Sequence, residues 1–396
     1  MVKLDKKIFG TLFLSMFAAI TGVGIVVPLL PVYAHDLGAS GVYIGLIFGS
    51  FSISRTVFLP YFGRLSDKKG RKPFIIAGLF AYALVSVAFI FSETVESLIF
   101  IRFLQGIGSA MVMPVVQAYI GEITPPGREG FTMGMFNMSL FFGLSIGPLM
   151  GGVINDIMGL KPTFMFMGIL SLISFFLSLI FLPPTKTEKH ISRDRELVSW
   201  RSLLKDKELA GLFLFRFAHT ACIGIIWGFM PVFADSEFSI SSSLIGLLVM
   251  LMVAISGALH VPMGMLADKM NKRRLVFIGG LITCFTVYFF AWETSVRGLL
   301  LNCIVFGIGG GISMPALMAL AVLKGNKTGV MGSVMAFLTM AHSTGMLVGS
   351  LLAGIIMDYF ELRKAFPFGA AIMLFGLASF MLLVKHRDEK ENTLKN

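Results

Sequence analysis

Among the ionisable side chains inside long apolar runs, Arg55, Arg102, Arg216, His219 and His342 stand out. A cation at the centre of a bilayer costs about 2.5–3.5 kcal/mol on insertion scales, so it persists mainly where water, a partner or a ligand meets it. For Arg102 a second reading stays open. Only Ser97 to Ile101 separate it from a loop, and its side chain has the length to snorkel outward. Histidine titrates near neutral pH, yet a lone histidine in a helical bundle more often packs than titrates. No anion matches these cations at depth: all 22 acidic residues map to loops, tails or run ends, with Asp36, Glu122 and Glu293 at borders. The apolar region therefore offers cationic chemistry, suited to anionic or zwitterionic amphiphiles. Its candidate proton carriers are His219, His342 or a border acid such as Asp36.

A second charged pattern occurs twice. GRLSDKKGRK (63–72) returns as GMLADKMNKR (264–273), matching Gly63 with Gly264, Asp67 with Asp268 and Lys68 with Lys269. Two further segments repeat. RFLQGIGSAMVMP (102–114) pairs with CIVFGIGGGISMP (303–315), and GPLMGGVIND (147–156) with GSLLAGIIMD (349–358), which aligns Asp156 with Asp358. A charged turn duplicated between apolar stretches belongs to a membrane protein built from two related halves, an architecture typical of secondary transporters.

The elements that must carry these residues are apolar helices. The chain is 56% hydrophobic and 14% charged, with a mean hydropathy of +0.85. Twelve runs reach spanning length, at 8–33, 41–62, 74–92, 97–120, 130–154, 163–182, 208–233, 242–263, 275–292, 297–322, 330–357 and 365–384. The expected fold is all-α: twelve transmembrane helices in two pseudo-symmetric six-helix bundles, 1–182 and 208–396, joined by a charged linker at 183–207. Leu197, Trp200 and Leu204 of that linker fit either one face of an interfacial helix or a plain tether. Most of the 33 Lys and Arg residues fall on one side of this topology, which makes the net charge of +11 a sign that both termini are cytoplasmic. No basic, aromatic-interleaved soluble module exists for nucleic acid. The first run is too long for a cleavable signal. Cys222, Cys284 and Cys303 lack metal-ligand spacing. No GKS or GKT loop or HExxH is present, so neither nucleotide hydrolysis nor another enzymatic set is expected, and no cofactor or metal.

On these motifs the chain resembles the major facilitator superfamily and, within it, the twelve-span drug:proton antiporter group. GRLSDKKGRKP fits the loop 2–3 signature, RFLQGIG the span-4 signature, and GLSIGPLMGG (143–152) the span-5 signature associated with drug efflux. The resemblance implies a gate on the cytoplasmic side. In it Gly63 gives a tight exit from span 2, Asp67 approaches the start of span 11 at Gly329–Met331, and Arg71, after Gly70, pairs with Glu122; Gly264 and Asp268 mark the second copy. It places Arg102 and Gln105 near a proton path. The small strip of Gly143, Gly147, Pro148, Gly151 and Gly152 would pack against span 8 and seal one access route. Arg55, Met113, Gln117, Asn137, Phe141, Arg216, Trp227, Met314 and Met318 fall on spans that line the family's cavity.

The resemblance further implies alternating access in a cell membrane, by a monomer, with a small-molecule substrate and proton coupling. The span-5 signature favours export of small amphiphilic, drug-like molecules. The missing core carboxylate, which drug:proton antiporters usually have, favours one defined, anionic metabolite, moved by uniport, symport or antiport.

Overall fold

A computed structural model describes residues 5–125, 129–183, 205–328 and 331–384. Among them run twelve long helices. The first six are α1 Lys6–Asp36, α2 Gly41–Lys69, α3 Arg71–Ile90, α4 Val95–Ile123, α5 Glu129–Met158 and α6 Leu160–Phe181. The second six are α7 Lys207–Phe238, α8 Ser242–Lys269, α9 Lys272–Phe290, α10 Val296–Thr328, α11 Met331–Tyr359 and α12 Ala365–Leu383. All twelve pass the length and hydropathy needed to cross a bilayer, and the chain is a multi-pass membrane protein.

Local chemistry sets several helix starts. Asp5, Asp206 and Asn271 each accept from two of the first N–H groups of α1, α7 and α9, satisfying donors that have no intrahelical partner. Prolines stay inside helices, as at Pro28, Pro31, Pro148 and Pro315, because neighbouring helices re-satisfy the backbone.

The duplication read from sequence is a duplication of packing. In the first half α1 packs on α5 and α6, α2 on α4, and α3 on α4 and α6. In the second half α7 packs on α11 and α12, α8 on α10, and α9 on α10 and α12. The halves meet through α2 against α11 and α5 against α8, again a symmetric pair. An even number of crossings puts Asp5 and Val384 on one face, hereafter the terminal face; the other is the distal face.

Two expectations change here. Gly63 does not end span 2. The helix continues to Lys69, since Leu65 to Lys69 contains no breaker, and the chain turns at Gly70, whose φ of 88° suits glycine. Gly264 likewise lies within α8, with open space around it. Leu197, Trp200 and Leu204 lie outside the described residues, as do Gly329 and Val330, the expected docking point for Asp67.

Candidate functional site

Inside their helices the two halves hold their cations differently. Arg102 on α4 is 5% exposed and does not snorkel. Its Nη1 donates to Gln105 Oε1 at 2.6 Å and its Nε to the Ile47 carbonyl at 3.3 Å. The guanidinium lies over the rings of Phe48 and Phe51, 5.3 and 4.6 Å from their centroids, an attraction of about 1–2 kcal/mol when desolvated. Protein groups thus surround this charge. Arg55, on α2, is half-buried with Tyr82 as its electrostatic neighbour.

Arg216 on α7 has poorer company. Its Nη1 approaches the Met314 thioether at 2.6 Å, and its Nη2 lies 3.4 Å from His342 Nδ1. Sulfur is a weak acceptor and a second basic group supplies no counter-charge. His219, a turn along α7, is 3% exposed, lies between the rings of Phe215 and Phe306, and has no hydrogen-bond partner at either nitrogen. Its Nε2 faces Gly310, where an added Cβ would sit 3.4 Å away. His260 on α8, which sequence reasoning passed over, meets Phe141 of the first half at 4.6 Å between ring centroids. Among the described residues no Asp or Glu lies in the middle of a helix.

The remaining cavity candidates divide. Phe141 and Met314 join the arrangement just described. Met113 packs half-buried against an apolar core of the first half, and Trp227 against one that spans both halves. Gln117, Asn137 and Met318 are exposed, and Asp36 ends α1, exposed on the distal face.

On the terminal face, Arg71 is clasped by Asp67 and by Glu122, with Nε to Glu122 Oε1 at 2.8 Å and Nη1 to Ser66 Oγ at 2.8 Å. The expected Arg71–Glu122 pair is present, and these partners belong to the first half. The second copy does not repeat the Asp67 cluster: Asp268 is exposed, and Asn271 caps α9 instead.

The span-5 strip is divided between two neighbours, which corrects the single packing face expected for it. Gly143, Gly147 and Gly151, four residues apart, face α1 of their own half at Phe17, Thr21 and Ile25. Gly152 faces α8 at Ser242, and Pro148 meets both neighbours, its ring at Gly24 of α1 and its carbonyl at Gly246 of α8. The same seam recurs where Gly41 meets Gly354 and Gly45 meets Ser350.

Each seam ends on the distal face in a carboxylate. Asp156 on α5 accepts from the N–H groups of Ser242 and Ser243 at 3.0 and 2.8 Å, at the start of α8. Asp358 on α11 accepts from the N–H groups of Gly41 and Val42, at the start of α2. The repeat alignment pairs these two acids, and that pairing is the signal the sequence offers for them.

A sequence model described as Major Facilitator Superfamily matches residues 12–233 and 212–396. An uncharacterized MFS-type transporter of Methanocaldococcus jannaschii is 30% identical over 387 residues, covering 96% of this chain and 99% of the relative. Multidrug resistance protein 2 of Bacillus subtilis is 26% identical over 396 residues, covering 97% of each. Among solved structures, an inward-facing, occupied bacterial homolog of the human lysosomal transporter Spinster superimposes with a TM-score of 0.82 at 13% identity, over 96% of this chain and 97% of that one. With its duplicated six-helix halves and a family match along nearly its whole length, the chain belongs to the Major Facilitator Superfamily and is a membrane transporter.

Proposed function

We propose that this transporter moves small amphiphilic organic anions by alternating access at a cell membrane, as a monomer with both termini in the cytoplasm. One observation carries the reading: the membrane-spanning helices hold Arg55, Arg102, Arg216 and three histidines away from their ends, and among the described residues no carboxylate lies in the middle of a helix. Arg216 is the anchor for the anionic group, because Met314 and His342 leave its charge uncompensated. A substrate anion there would offset the charge of Arg216 and attract a second cation beside it, so substrate and proton bind together rather than compete.

The test is uptake into reconstituted vesicles under an imposed pH gradient, with anionic and cationic amphiphiles as competitors. Inhibition by organic anions, strengthened by the gradient, is the expected result. Inhibition by lipophilic cations alone overturns the reading. That outcome would favour the second reading, proton-coupled export of drug-like molecules by antiport. Supporting it are the span-5 glycines and the full-length similarity to Multidrug resistance protein 2.

A further inference from the structure

We infer that Asp156 and Asp358 are a symmetric pair of positioning residues that latch the distal face shut during the transport cycle. Each acid sits on one half and is bonded to a helix start of the other: Asp156 to Ser242 and Ser243, Asp358 to Gly41 and Val42. Ser243 Oγ also donates to Asp156, and Asn155 Nδ2 donates to Ser242 Oγ at 2.9 Å. A helix N-terminus presents unpaired N–H groups and a partial positive charge, so a carboxylate placed there makes charge-assisted bonds.

Geometry makes these bonds state-dependent. They join the two halves, so tilting the halves apart on this face breaks all of them together. The close approach also relies on Gly152 against Ser242 and on Gly354 against Gly41, where a Cβ would overlap backbone atoms. Opposing the latch, Asp36 and Asp235 lie within electrostatic reach of each other across the same face, two like charges on different halves. Attraction at two helix tips against repulsion at one acid pair gives a seam able to open as well as close.

The test uses spin labels on the distal face at Glu93→Cys of the first half and Glu361→Cys of the second, with Cys222, Cys284 and Cys303 replaced by alanine. Asp156→Asn and Asp358→Asn, which keep side-chain shape, should each raise the ratio of long to short label distances about tenfold. The double variant should multiply the two effects, since the sites share no partner. Asp67→Asn, on the terminal face, should not raise the distal ratio, because loosening that face favours closure of the other. Unchanged distances in the double variant, or an equal rise from Asp67→Asn, overturns the latch. The readout needs no substrate, so it stands apart from the anion reading.

Discussion

The two halves share a packing plan but not a chemistry. In the first, Arg102 is held by Gln105, the Ile47 carbonyl and two aromatic rings; in the second, Arg216 meets a thioether and an imidazole. The terminal face differs in the same way. The first half clasps Arg71 between Asp67 and Glu122, whereas the second holds Lys324 between Asp206 and Glu208, each at 2.7 Å. Of these charged groups, only the distal carboxylates remain true copies among the described residues. Duplication has kept the helix packing of both halves and the acids where they meet, and lost the likeness of the other charges.

The sharpest way to break this comparison is to remove each arginine. Arg216→Ala should lower anion uptake by about a hundredfold with normal membrane abundance, the upper range for coupled sites, and Arg216→Lys should restore part of it. Wild-type uptake by the alanine variant would erase the distinction between the two arginines. Arg102→Ala should instead lower abundance and thermal stability, because Gln105 and the Ile47 carbonyl each lose a buried donor at about 1–3 kcal/mol.

The loops give the next contrast. Asp67→Asn should cost about tenfold in transport at near-normal abundance, while Asp268→Asn stays near wild type. Equal losses would show that the second copy keeps the same role. Gly147→Leu should lower the melting temperature by overpacking against Thr21 and Gly24, at about 1–3 kcal/mol. The smallest effect is a pH dependence at Asp206. Burial alone would raise its carboxyl, but Lys324 and the N–H groups of Leu209 and Glu208 hold it below its ordinary value of 3.8. Its contribution is therefore present above that value and lost as pH falls through the lowered one. Melting scans from about pH 6 down to about 3 should show a drop that Asp206→Asn reduces.

Much of the fold was legible because bilayer helices leave long apolar runs, and the repeated motifs carried the pairing of halves. Helix ends were less legible: Gly63 reads as an exit, but helix continues wherever nothing breaks it, and only Gly70 does. In the site, the buried arginines and His342 were visible as charges in apolar sequence. Arg102 could not be told from a snorkelling residue, because its partner Ile47 is 55 positions away. His260 was missed since its meaning depends on Phe141 from the other half.

By itself the sequence determined the number of spans, the duplication and the cationic character of the membrane interior, all set by composition and spacing along one chain. Tertiary structure alone decided which charges are compensated, which glycines face which helix, and that Asp156 and Asp358 reach helix starts in the opposite half. Those facts depend on distances between residues far apart in sequence, which only the packing of twelve helices fixes.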